Sequence, residues 1–380
     1  MERKRVPLGN YITEYSVRNR SGEDIPVYSV TNSQGFCREY FDKELASKDK
    51  TTYKIVPRGY FAYNPSRINV GSVDWQRCEG RVIVSPLYNV FSVSEKMEQQ
   101  YLFYYLKSNV GRQMIKAKAS GSVRDNLKMD MLKEMTIPER TIEEQKKCVA
   151  TLDKLKIIIS LWEKELKKLD DLIKARFVEM FGDPIQNPKG WEVVTIGDIV
   201  TEVRYGTSKP AVEGGKYPYL RMNNLTADGH LDLNDLKYID IPDDEIEKCV
   251  VRKGDVLFNR TNSIELVGKT AVFDLPEDMI IAGYIIRVRL TEKMLPEVLS
   301  QYMNLEALKG ILRGMAKGAV NQANINAQEL QSIKVYIPEM ELQKQFVKMK
   351  EQIYKSKVVL ENIIKKYHKI DLITCMQAGL

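Results

Sequence analysis

Apolar residues recur at Leu155, Ile159, Trp162, Leu166, Leu169, Ile173, Phe177 and Met180. The steps alternate mostly between four and three, a heptad seam rather than the period-2 pattern of a strand. Ahead of it, Thr141-Ile-Glu-Glu144 has the form of a capping box, in which the threonine accepts from the N3 amide and the glutamate reaches back. Gly182 and then Asp183-Pro184 stop the pattern. It predicts one helix over 141–182, about 60 Å long at 1.5 Å per residue. A second seam, Phe346, Met349, Ile353, Ser356, Leu360, Ile363, Tyr367 and Ile370, predicts a second helix over 339–380. Each helix has one apolar stripe and a strongly charged opposite face, so neither buries its stripe alone. Antiparallel packing on each other satisfies both. The alternatives are that each lies on its own globular segment, or that each pairs with a second copy.

The two seams belong to a longer repeat. Ile137-Pro138-Glu139 recurs as Ile337-Pro338-Glu339, followed by Ile142 and Gln145 in one copy and Leu342 and Gln345 in the other. Asp171-Leu172-Ile173 recurs as Asp371-Leu372-Ile373, again 200 residues on. Gly121-Ser-Val123 and Gly318-Ala-Val320 match more loosely, as do Val6-Pro-Leu-Gly9 and Val194-Thr-Ile-Gly197. Solenoid periods run ~20–50 residues. This is instead a module used twice, and it implies a pseudo-two-fold internal repeat.

The segments 1–140 and 183–338 have an α+β pattern. Strand-like runs in the first are Pro26–Val30, Tyr53–Val56, Gly59–Tyr63 and Arg81–Ser85. In the second they are Tyr217–Leu220, Val250–Val251, Asp255–Phe258, Thr270–Phe273 and Met279–Leu290. Gly, Asn and Asp separate them. A helical stretch follows in each, Gln99–Lys118 and Glu297–Met315.

Just after an apolar strand, each segment places an Asn and an Arg among small hydroxyl residues. The first cluster is Tyr63-Asn-Pro-Ser-Arg-Ile-Asn-Val-Gly-Ser72. The second is Gly254-Asp-Val-Leu-Phe-Asn-Arg-Thr-Asn-Ser263 with Gly268-Lys269. These are groups that bond base edges, Arg to guanine and Asn to adenine, or that hold phosphates. They are also ordinary turn residues. Candidates in the first segment are Asn64, Ser66, Arg67 and Asn69, with Ser122 and Arg124. In the second they are Arg221, Asn223, Asn259, Arg260, Asn262, Lys269, Gln322 and Asn324.

Composition narrows the chemistry. Lys and Arg number 58 against 51 for Asp and Glu, a mild excess of +7 that permits a polyanion partner without requiring one. Five scattered cysteines and two histidines, without a C-x-x-C, argue against a structural zinc site and fit a reducing cytoplasm. The first residues have no apolar stretch behind them and do not read as a signal peptide. No apolar run is long enough for a membrane span. There is no G-x-x-x-x-G-K-[ST] phosphate loop and no glycine-rich dinucleotide turn. Also missing is the Asp/Asn-Pro-Pro-aromatic tetrapeptide that holds adenine in amino-methyltransferases. Asp243-Asp244-Glu245 reads as an exposed acidic turn rather than a metal cluster.

Over essentially its whole length the sequence resembles the specificity subunits of type I restriction–modification systems. The resemblance rests on Ile137-Pro138 through Gln145, Arg176-Phe-Val-Glu-Met-Phe-Gly-Asp-Pro184 with Asn187-Pro-Lys-Gly-Trp191, the two Asn/Arg clusters above, and Asn324-Ile-Asn326. The second half has no clear copy of the Arg176-to-Pro184 segment. The resemblance implies an α+β chain of two globular target recognition domains, 1–140 and 183–338. Two long helices, 141–182 and 339–380, would separate them as an antiparallel coiled coil. It implies a non-catalytic, cytoplasmic subunit with no membrane contact, whose recognition domains read the halves of a bipartite site in double-stranded DNA. The helices would set a separation comparable to one or more turns of B-DNA at ~34 Å per turn. They would also dock methyltransferase subunits beside a restriction/translocase subunit. S-adenosylmethionine, ATP and Mg2+ would belong to those partners, with no cofactor in this chain. A stand-alone nucleic-acid-modifying enzyme with a diverged site and a coiled-coil scaffold that binds no DNA are the alternatives.

Overall fold

The structure, a computed structural model, describes residues 3–38, 49–119, 126–319 and 322–369. It divides into two compact units. The first holds Met1–Glu163 and Asn362–Leu380, the second Lys164–Glu361. Both boundaries fall inside the long helices rather than at their ends, because stretches of the two helices pack side by side within each unit.

The first unit is built on a four-stranded antiparallel sheet in the spatial order Ile12–Glu14, Asn89–Val93, Phe61–Tyr63, Val73–Trp75. Alternate residues point inward, so Phe61 and Tyr63 pack with Phe91, and the Phe61 and Phe91 rings stack at 4.9 Å. The strands Ser29–Thr31 with Gly35–Cys37 form a hairpin, and Lys54–Pro57 pairs antiparallel with Arg81–Val84. The second unit has the same central sheet in the same order: Val200–Tyr205, Ile285–Leu290, Val256–Asn259, Thr270–Val272. The repeat thus extends beyond the motifs to sheet topology.

Register confirms the duplication and corrects its offset. Gln145 is 1% exposed, donates to Arg140 O and Lys96 O, and accepts from Glu98 N. Gln343 is 0% exposed and does the same with Pro338 O, Lys293 O and Leu295 N. The counterpart of Gln145 is therefore Gln343; Gln345 is exposed. The second Ile-Pro-Glu lies two residues nearer its helix than the first, and this shifts the register from the 200-residue motif spacing.

Each helical stretch expected after the sheet is two helices. The first breaks between Gln99–Lys107 and Asn109–Ala119, where Ser108 donates to Tyr105 O at 2.7 Å and accepts from Gly111 N at 3.0 Å. The second breaks between Pro296–Met303 and Glu306–Met315, where the Asn304 amide bonds Thr270 O and Ser300 O. In both, side-chain bonds to the backbone replace helix bonds. Asp243-Asp244-Glu245 is not a turn but the first turn of the helix Asp243–Cys249, where carboxylates face the positive end of the dipole.

The first long helix runs Ile142–Phe181 and the second Met340–Lys369. The capping box closes as expected, with Thr141 N to Glu144 Oε2 at 2.9 Å and Glu144 N to Thr141 Oγ1 at 3.2 Å. Gly182, at φ 90°, ends the first helix. Within the second unit Phe177 and Phe181 pack on Phe346, while Asp170 meets Lys357 further along. Numbers fall on one helix as they rise on the other, so the pair is antiparallel. Within the first unit Trp162 meets Tyr367 at 5.4 Å. Ile173 is buried, and Leu155, Ile159, Trp162, Leu166 and Leu169 are half-buried. So are Met349, Ile353, Leu360, Ile363 and Tyr367; Ile370 lies outside the described residues. Ser356 is exposed, and the buried position beside it belongs to Lys357, only 3% exposed.

Lys357 anchors more than the seam. Besides Asp170 it pairs with Asp228 at 3.4 Å, in the turn Thr226–His230 of the second globular segment. His230 stacks on Tyr354 at 4.4 Å. The turn is thereby fastened to both long helices within this unit. Among the described residues no helix is long and apolar enough to cross a membrane.

Candidate nucleic-acid interface

The two Asn/Arg clusters occupy equivalent turns. Asn64 N donates to Ser72 O at 3.1 Å, and Asn259 N donates to Lys269 O at 2.8 Å. Leu127 N reaches Pro65 O in the first unit, as Ile325 N reaches Arg260 O in the second. Each turn leaves the central sheet at the same strand end.

In the first unit Asn64 Oδ1 accepts from Ser66 N at 3.1 Å and Ser66 Oγ at 2.9 Å, an Asx turn that fixes the loop. Gly71 is at φ 99°, where any Cβ would also overlap the Asn32 amide, so the turn requires glycine. Asn69 Oδ1 accepts from Val70 N. Arg67 is exposed, with no side-chain hydrogen bond or ion pair among the described residues. It borders a cavity of about 540 Å³ lined also by Tyr28, Asn32, Asn64, Ser66 and Tyr88. Ser122 and Arg124 lie outside the described residues.

In the second unit most candidates are bonded within the chain. Asn259 is fully buried; its amide donates to Thr261 O and Tyr284 O, and its Oδ1 accepts from Asn262 at 2.8 Å. Lys269 is buried and donates to Met222 O at 2.8 Å and to Leu225 O; burial lowers its pKa. Arg221 donates to the carboxylate and carbonyl of Asp235, at 2.7 and 3.0 Å. Asn324 pairs with Thr261 on a short strand that also contains Gln322. Its Oδ1 is buried without a partner. Asn223 is exposed, with no side-chain hydrogen bond among the described residues.

Arg260 differs from these. Its guanidinium lies over the Tyr205 ring, 5.0 Å from the centroid, and its Nε is buried without a partner. Nη1 has only a long contact of 3.5 Å to Gly283 O. It faces a cavity of about 560 Å³ lined by Ser208, Lys209, Asn223, Tyr219 and Tyr284. Sequence reasoning missed Tyr205, Ser208, Lys209 and Tyr284. The one available signal was Gly206, which separates a strand from a Thr-Ser-Lys run. A Cβ there would overlap the carbonyls of Ile281 and Ala282. Among the described residues no group of three or more His, Cys, Asp or Glu could hold a metal ion.

A protein-family model described as the type I restriction modification DNA specificity domain matches the chain twice, over residues 9–171 and 188–370. The chain belongs to this family. Each type I specificity-domain match runs from a globular segment into the long helix that follows it, as the repeated sheets do. The EcoKI specificity subunit of Escherichia coli K12 is 24% identical over 270 residues, 67% of this chain and 58% of that protein. A putative MjaX specificity subunit of Methanocaldococcus jannaschii is 32% identical over 166 residues, 43% of this chain and 39% of its own length. The matched region therefore spans less than two thirds of either relative. A chain solved in a study of the assembly and conformational transition of a type I R-M system superposes with a TM-score of 0.68 at 17% identity, covering 99% of this chain and 97% of that one. The HsdS subunit from Thermoanaerobacter tengcongensis gives 0.50 at 19% identity, covering 99% and 96%. At these identities the likeness is one of fold.

Proposed function

We propose that this specificity-domain protein is the DNA-binding subunit of a type I restriction–modification complex. Each unit reads one half of a bipartite duplex site, and the long helices dock methyltransferase and restriction subunits. The observation that carries this reading is the coincidence of two family-domain matches with two like-built sheets. Beside each sheet lies an arginine, Arg67 or Arg260, with donors not used among the described residues. The chain itself is non-catalytic; S-adenosylmethionine, ATP and Mg2+ act in the partner subunits.

The test is co-expression with the neighbouring methyltransferase subunit and genome-wide mapping of methylated adenine. A split motif with a constant gap is the expected result. Binding to random duplex should weaken steeply as salt rises, because neutralised phosphates release counterions. Methyl transfer from labelled S-adenosylmethionine by the isolated chain would show a stand-alone enzyme. Absence of DNA binding even in the complex would show a scaffold.

A further inference from the structure

The candidates in the second unit separate by what they already bond. Asn259, Asn262 and Lys269 are spent on the turn and its neighbours, and Arg221 on Asp235. Of the two other cations at the cavity, Lys209 pairs with Glu245 at 2.9 Å and Arg221 with Asp235 at 2.7 Å. Both are neutralised by carboxylates. A phosphate slot gathers unpaired positive charge, and this cavity does not.

Among the described residues Arg260 is the cation of this cavity without a carboxylate partner. The Arg260 guanidinium sits over Tyr205, 5.0 Å from the ring centroid, with Nε unpartnered, as is that of Arg221, and Nη1 in a long contact only. Tyr205 is itself held: its hydroxyl accepts from Ala327 N at 2.8 Å, and the next residue, Gly206, is hydrogen-bonded to Ile285 O. The loop continues against the neighbouring strand through Thr207 N to Ile281 O and Gly283 N to Thr207 O. Tyr205 and Tyr284 are 43% and 49% exposed, so the cavity is open to a large ligand. A guanidinium resting against an aromatic ring has its planar fork of donors restrained. That fork matches the paired acceptors O6 and N7 of guanine.

Resting on the DNA-binding reading above, we infer that Arg260 reads a guanine in one half-site and that Tyr205 is the positioning residue that holds its guanidinium. Asn223 and Ser208 line the same cavity.

The test uses the full chain co-expressed with its methyltransferase subunit, as wild type, Arg260→Lys, Tyr205→Phe and Tyr205→Leu. Motif mapping is combined with competition among duplexes that carry each base at each recognised position. Wild type should require guanine at one position of one half-site. Arg260→Lys and Tyr205→Leu should reduce that preference roughly ten- to hundredfold and leave the other half-site strict. Tyr205→Phe keeps the ring and loses only the bond from Ala327 N, so it should retain most of the preference. Uniform loss of binding to all sequences by Arg260→Lys, with a shallower salt dependence and unchanged base preference, would make Arg260 a phosphate contact and overturn the inference. Equal relaxation by Tyr205→Phe and Tyr205→Leu would overturn the role of the ring. If Tyr205→Leu does not fold, Arg260→Lys still decides the guanine reading, and Tyr205→Ile takes the place of Tyr205→Leu in the test of the ring. A wild-type complex that binds no duplex refutes the DNA-binding reading itself, and the inference falls with it.

Discussion

Replacing Lys357 with methionine tests the polar clasp between the two long helices. The Lys357 side chain is 4% exposed, and it is the shared partner of Asp170 (29% exposed) and Asp228 (40% exposed). Breaking a buried pair by removing one partner costs about 3–5 kcal/mol, because the other charge is left uncompensated. Here both carboxylates keep access to water, which screens them and lowers the cost. Methionine also restores apolar contact along the seam. The balance is a loss of about 2–3 kcal/mol. The chain has two compact units, so a single unfolding midpoint would mix them. Hydrogen exchange separates them. Amides of Thr226 and His230, bonded across their own turn, should exchange roughly 30- to 150-fold faster in Lys357→Met, while amides of the first sheet stay unchanged. A cycle with Asp170→Asn should give a coupling of about 1–3 kcal/mol. Wild-type protection at Thr226 and His230, or full additivity of the two substitutions, would refute the reasoning.

Acidification should act on the same clasp. Burial lowers the pKa of His230, and Asp228 only partly opposes it. The unfolded state therefore binds the proton more readily, and this contribution is lost as pH falls through about 6.5 toward the depressed folded value. Melting curves between pH 7.5 and pH 5, as approximate limits, should fall less steeply for His230→Gln than for wild type. Thr141→Ala removes the hydroxyl of the capping box and should cost about 1 kcal/mol, measured by hydrogen exchange of the first turn of the helix Ile142–Phe181. Asn259→Ala removes the donor to the buried Thr261 O and the acceptor of the Asn262 amide, while Tyr284 O keeps Arg260 N, and should cost about 1–3 kcal/mol by hydrogen exchange of the second sheet. Asn64→Ala, in a half-buried Asx turn, should cost about 1 kcal/mol or less by hydrogen exchange of the first sheet.

The long helices were legible because a 3–4 spacing of apolar residues admits few other structures, and because Thr141, Glu144 and Gly182 are local signals that act locally. Lys357 was not legible. Its counter-ions, Asp170 and Asp228, lie far away in sequence, so nothing near it distinguishes a buried lysine from a solvated one; the reading took Ser356 instead. The equivalence of the Asn64 and Asn259 turns was visible as a strand followed by the same residue types. Their roles were not, since an amide that bonds its own backbone and one that faces outward have the same composition. Tyr205 and Arg260 are 55 residues apart in the chain. Only the pairing of their two strands with the common neighbour Ile285–Leu290 brings them together.

The sharing of both long helices between the compact units bears on the order in which the chain completes its fold. Synthesis delivers the first sheet early, but Tyr367, which covers Trp162, emerges about 200 residues later. At about 5–20 residues per second, the nascent first unit waits some 10–40 seconds with that side of its helix uncovered. The half of the protein that is made first is the half that closes last.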